Sequence, residues 1–148
     1  MNLKLNINKT MRQIKQIIIH CSATPEGRDI GAASIRRWHK EKGFSDIGYH
    51  YVIRLDGTIE EGRPIEQVGA HCKNYNRNSI GICYVGGTEK DCKTPKDTRT
   101  KEQCKAMTEL LKQLHRQFPN VTIHGHSEFA NKACPSFNVN EYLQSINF

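Results

Sequence analysis

Two histidines and a cysteine stand where short apolar runs end. His20 closes Gln16–Ile19 (QIII), a β-branched run that reads as a buried strand. His126 follows the last such run, Val121–Ile123, and Cys134 comes eight residues later in a loop fixed by Pro135. Two imidazoles and a thiolate make a competent zinc set, and three protein ligands leave the fourth position for water or substrate, which separates a catalytic ion from a structural one. Residue type and spacing alone leave this open. The chain has seven histidines, and such a residue is more often hydrogen-bonded in a core or at a surface than bound to metal. His124, two residues before His126, would share its face on a continuing strand and competes for the role.

The remaining cysteines, Cys21, Cys72, Cys83, Cys92 and Cys104, form no C-x-x-C pair, which argues against a zinc ribbon or a thioredoxin-like motif. Cys21, Cys83 and Cys104 read as small apolar filler on buried faces. Cys21 is expected to point to the opposite strand face from His20.

The elements that must position these groups are legible from periodicity. Ala32–Lys42 carries Ile35 and Trp38 at helical spacing, with Gly43 as a stop signal. Tyr49–Leu55 and Thr58–Glu61 flank Asp56-Gly57, a strong hairpin signal. Ser79–Val85 reads as a further strand ended by Gly86-Gly87, and residues 89–100 as a polar, lysine-rich loop. Thr100–Phe118 is the clearest helix: Thr100 and Gln103 suit a capping box, Met107, Leu110, Leu111, Leu114 and Phe118 form one stripe, and Pro119 stops it. Asn138 and Glu141 suggest a capped helix to Ile146. Strands alternating with helices, plus one hairpin, predict an α/β domain: a central mixed β-sheet flanked by helices. The expected organisation is one domain over 1–148, with 1–15 as an N-terminal extension and the core from about 16.

Composition bounds the function. The chain has 148 residues, 36% hydrophobic and 25% charged, an ordinary globular balance. No apolar run approaches the ~20 residues of a membrane helix. The first residues hold no uninterrupted apolar core and no A-x-A-like cleavage site, so the chain is expected to be made in the cytoplasm without a signal peptide. A net charge of +7 favours polyanions, envelope polymers as much as nucleic acid. The basic groups Arg36, Arg37, Lys40, Lys42 and Lys90, Lys93, Lys96, Arg99, Lys101 lack the interleaved aromatics of a single-strand binder and read as solvated charge, so no nucleic-acid partner is expected.

Four blocks in order, IIIHCSAT, GYHYVIRLDGTIEEGR, GAHCKNYNRNSIGICYVGG and HSEFANKACPSF, resemble the type-2 N-acetylmuramoyl-L-alanine amidases. Within that family the likeness runs to the small amidases of T-odd bacteriophages, and animal peptidoglycan recognition proteins share the fold. The resemblance spans about Gln16 to Phe137. It implies hydrolysis of the amide between N-acetylmuramic acid and L-alanine in peptidoglycan, one zinc ion per chain, and a wall-lytic role after release or lysis. It places the zinc ligands on His20, His126 and Cys134, and its eight-residue step to cysteine selects His126 over His124. It places catalytic residues on Tyr49 and on Lys132, two before the cysteine, and a groove-lining substrate contact on His71. His39 and His115 are expected to lie exposed on helices, and His50 to point away from Tyr49. Many relatives have His-Arg-Asp where this chain has His126-Ser127-Glu128, a departure that bears on contacts around the metal ligands.

Other classes compete. Recognition proteins of this fold that bind without cutting characteristically lack the cysteine ligand, and Cys134 is present. A phage relative also inhibits its RNA polymerase, yet no motif here marks such an interface. The chain is expected to act as a monomer on peptidoglycan, with no membrane insertion.

Overall fold

The computed structural model describes residues 12–148; the N-terminal extension expected over 1–15 therefore lies mostly outside the described residues. A five-stranded sheet has the order β4-β3-β5-β1-β7. Its strands are β1 (Gln16–Cys21), β3 (Tyr51–Ile53), β4 (Ile59–Glu61), β5 (Ser79–Tyr84) and β7 (Thr122–Gly125). β1 runs parallel to both β5 and β7, and β3 is parallel to β5, while β4 alone is antiparallel. This is the mixed sheet expected from the sequence.

The central strands are covered on both faces, which is why they read as continuous apolar runs rather than alternating ones. Ile17 and Ile19 of β1 and Ile80 and Ile82 of β5 pack with Met107, Leu110, Leu111 and Leu114 of α2 (Lys101–Gln117). On the other face Val52 and Cys83 pack with Ile35 of α1 (Ala32–Glu41). α3 (Val139–Ser145) closes the sheet near β7, and its N-cap Asn138 accepts the Glu141 N–H.

α2 is fixed by its expected capping box. Thr100 Oγ1 accepts the Gln103 N–H at 3.0 Å and Gln103 Oε1 accepts the Thr100 N–H at 2.9 Å. The Gln103 amide then donates to the Ile53 and Val85 carbonyls, so the cap also anchors the helix to the sheet. α1 has no side chain at its N-cap, Gly31; Glu60, from the hairpin, accepts the Ala32 N–H at 2.8 Å instead. A helix start capped across the fold is invisible to a local sequence pattern.

A second, two-stranded sheet joins β2 (Thr24–Pro25) to β6 (Gly87–Thr88), a pairing that no sequence signal marks. Arg99 also departs from expectation. Its guanidinium is paired with Asp97 and lies 3.4 Å above the Phe137 ring, so it is packed rather than solvated. Among the described residues no helix is long and apolar enough to cross a membrane.

Candidate metal centre and groove

Alternation along β1 decides which side chains reach the site. Ile19 and Cys21 face α2, and the intervening His20 faces the α1 side, 1% exposed, at the floor of a groove of about 530 Å³. β7 ends at Gly125, and His126 begins a short 3₁₀ turn, His126–Glu128. That turn is closed by Glu128, whose carboxylate accepts the Gly125 N–H at 2.7 Å and lies 2.9 Å from His124 Nδ1. The departure from His-Arg-Asp thus has a structural role: Glu128 ties down the turn that presents His126. It also occupies His124, whose other ring nitrogen meets Thr122 Oγ1.

The cysteine loop is held from several sides. The Ser127 N–H donates to the Cys134 carbonyl, the buried Tyr84 hydroxyl to the Pro135 carbonyl, and Ser136 Oγ to the Gly87 carbonyl. These contacts bring Cys134 Sγ to 3.8 Å from His20 Nδ1. The ligand atoms of His20, His126 and Cys134 all lie within 4.8 Å of one another.

Electrostatics suit this trio to a cation. Burial keeps His20 neutral, and charge on His71, His126 and Lys132 would oppose its protonation further. Burial, reinforced by Lys132, likewise lowers His126. The hydrogen-bonded Cys21 sulfur, together with burial, holds the Cys134 thiol protonated. Two neutral imidazoles and a cysteine sulfur are donors that suit a soft divalent metal, which the sulfur would bind as a thiolate with release of its proton. The Cys21 N–H donates to Cys134 Sγ at 3.2 Å. Cys21 does lie on the opposite face from His20, as expected, but its main chain and sulfur border the centre.

Tyr49 and Lys132 line the same groove. The Tyr49 ring lies 5.1 Å from that of His20, and burial, with the Cys83, Cys134 and Cys21 thiols nearby, pushes its phenol well above its ordinary value. It is therefore a hydrogen-bond donor at neutral pH. Lys132 is exposed at the mouth. His71 lines the groove too, but both ring nitrogens are engaged, Nδ1 with His20 Nε2 at 2.8 Å and Nε2 with Ser79 Oγ at 3.1 Å. His50 is fully enclosed: Nδ1 accepts the Gly81 N–H and Nε2–H donates to the Gln67 carbonyl.

Sequence reasoning missed His39. Instead of lying exposed on its helix, it is half-buried, accepts the Gly48 N–H on Nδ1 at 2.9 Å, and sets its ring 5.4 Å from that of Tyr49, tilted by 53°. Its signal was present, since His39 lies four residues after Ile35 on the buried face of α1.

The family model described as N-acetylmuramoyl-L-alanine amidase matches residues 10–137. The endolysin of Klebsiella phage KP32 is 44% identical over 134 residues, 90% of this chain and 87% of that protein. The endolysin of Escherichia phage T7 is 43% identical over 128 residues, 86% of this chain and 84% of that protein. Among solved structures, the N-acetylmuramoyl-L-alanine amidase LysC from Clostridium intestinale URNW superposes with a TM-score of 0.79 at 26% identity, covering 95% of each chain.

Proposed function

The chain belongs to the N-acetylmuramoyl-L-alanine amidase family, and from that premise we propose that it cleaves peptidoglycan as an endolysin using one zinc ion held by His20, His126 and Cys134. The observation that carries this reading is the convergence of those three donor sets within 4.8 Å on the floor of a groove. A zinc ion held there would supply Lewis acidity and lower the pKa of a water bound to it toward neutral.

The reaction adds water across the amide, leaving the muramic-acid lactyl group as a carboxylate and freeing the amino group of L-alanine. The carbonyl oxygen gathers negative charge as water adds. Lys132 offers it an ammonium and Tyr49 a phenolic O–H, and both border the groove that holds the ligands. Burial raises the Tyr49 phenol, which keeps it a donor, and both side chains are assigned to charge stabilisation. His39 supports Tyr49 by fixing the Gly48 N–H just before it. His71 presents ring surface to the substrate from the groove wall.

Metal analysis of protein purified without chelator tests the proposal. One equivalent of zinc is expected in the wild type and a marked loss in Cys134→Ser with His20→Ala. Full zinc in that double variant overturns the ligand set.

A further inference from the structure

We infer that His71 and Ser79 form a hydrogen-bonded relay that fixes which nitrogen of His20 faces the metal position, so that both are positioning residues of the centre; this rests on the zinc reading above. His20 Nδ1 is the nitrogen turned toward Cys134, 3.8 Å from its sulfur. Its other nitrogen, Nε2, is 2.8 Å from His71 Nδ1. A neutral imidazole has one N–H and one lone pair. For His20 to offer its lone pair at Nδ1, its proton must sit on Nε2 and must have an acceptor, because an unsatisfied buried N–H is costly.

His71 Nδ1 is that acceptor. With its Nδ1 lone pair engaged, neutral His71 carries its own proton on Nε2, which lies 3.1 Å from Ser79 Oγ. Ser79 is fully buried at the start of β5 and takes this proton as an acceptor. The reverse direction is incompatible with metal binding. If His71 Nδ1–H donated to His20 Nε2, the His20 proton would move to Nδ1 and point at Cys134, leaving no lone pair for the ion. The orientation of two ring protons thus decides whether the centre is competent.

The seat of His71 is built to prevent the ring from turning away. A Cβ at Gly81 would lie 2.6 Å from His71 Cγ and Cδ2, and one at Gly69 would lie 2.8 Å from Cδ2. Asn76 Oδ1 accepts both the His71 and the Cys72 N–H, at 2.8 and 2.9 Å, and so pins the main chain beneath the ring. The ring is clamped between a glycine-flattened strand and a side-chain-capped loop. Metal-ligating histidines commonly have a carboxylate or carbonyl as the partner of the second nitrogen; here an imidazole and a hydroxyl extend that contact one residue deeper.

The experiment measures Zn²⁺ affinity by chelator competition on the full chain, for the wild type, His71→Leu, His71→Asn and Ser79→Ala, with unfolding curves on each. ¹⁵N NMR of the metal-free wild type reads the His20 tautomer directly and depends on no variant folding. His71→Leu is expected to weaken zinc binding about 10–100-fold, the usual effect of losing such a partner. His71→Asn restores an acceptor where Nδ1 stood and recovers most of the loss, and Ser79→Ala falls in between. The metal-free His20 is expected as the Nε2–H tautomer. A Zn²⁺ affinity in folded His71→Leu within about twofold of wild type overturns the relay, as does an Asn variant no better than Leu or a His20 Nδ1–H tautomer. Failure of the wild type itself to bind Zn²⁺ overturns the metal centre and the relay with it, so the two failures are distinct.

Discussion

His20 and Cys134, 114 residues apart in the chain, bring Nδ1 and Sγ to 3.8 Å of one another across the end of the sheet. The approach is set by main-chain contacts rather than by chance packing: the Cys21 N–H donates to the same sulfur, and the Ser127 N–H holds the Cys134 carbonyl. Zinc retention should therefore depend on the three ligands and not on neighbouring thiols. Cys21→Ala keeps its main-chain N–H and should keep one zinc per chain, and singly replaced Cys72, Cys83, Cys92 and Cys104 should behave alike. Loss of metal from one of these, with the fold intact, would show the ligand set to be misassigned.

Tyr49→Phe and Lys132→Ala should separate catalysis from binding. Each removes a donor that acts on charge developed in the transition state, so kcat should fall about 10²–10³-fold while zinc content stays at one equivalent. Steady-state cleavage of purified peptidoglycan, with metal analysis on each variant, checks this. Unchanged kcat in both would remove them from the machinery.

Gly81→Ala should destabilise the protein although alanine ordinarily suits a strand better than glycine. The added Cβ would sit 2.6 Å from the His71 ring, which its loop prevents from moving. Overpacking of this kind costs roughly 1–3 kcal/mol, and zinc affinity should fall with it. A thermal midpoint at or above wild type would contradict the account of the clamp.

How far the site could be read in advance depended on range. Strand β1, helix α2 with its cap, and the hairpin at Asp56-Gly57 were legible because their signals are local: β-branched runs, a four-residue box, a turn dipeptide. The positions of His20, His126 and Cys134 at element ends were visible too, but residue types alone could not choose His126 over His124; the family resemblance did. The structure supplies a physical reason, since β7 stops at Gly125 and Glu128 ties up His124. What was not legible acts across the fold: Glu60 capping α1, Ser79 behind His71, and the pairing of β2 with β6. Glu60 and Ala32, and likewise β2 and β6, lie far apart in the chain, so no window along the sequence contains both partners. Ser79 lies only eight residues from His71 but meets it through a loop that no periodic pattern describes.

Metal-free protein should lose stability as pH falls between about 6.5 and 4, and His50 should account for a measurable share. Burial lowers this residue from 6.5 to about 4, with Arg12 and Arg63 adding to the effect and the Gln67 carbonyl opposing it. Below pH 6.5 the unfolded chain binds a proton that the folded chain refuses. The stabilisation is complete above that pH and is lost as pH falls through 4, an amount of roughly 3 kcal/mol. Urea unfolding with chelator at pH 7 and pH 4.5 should show a steeper loss in wild type than in His50→Asn. Equal slopes would contradict the assignment.

The chemistry itself is tested most directly by the ends created in purified peptidoglycan. Incubation with the zinc-loaded protein should release new L-alanine amino termini without new reducing sugar ends, and Cys134→Ser should release neither. New reducing ends, or no new ends from a wild type that holds its zinc and binds the sacculus, would contradict an amidase acting through this centre.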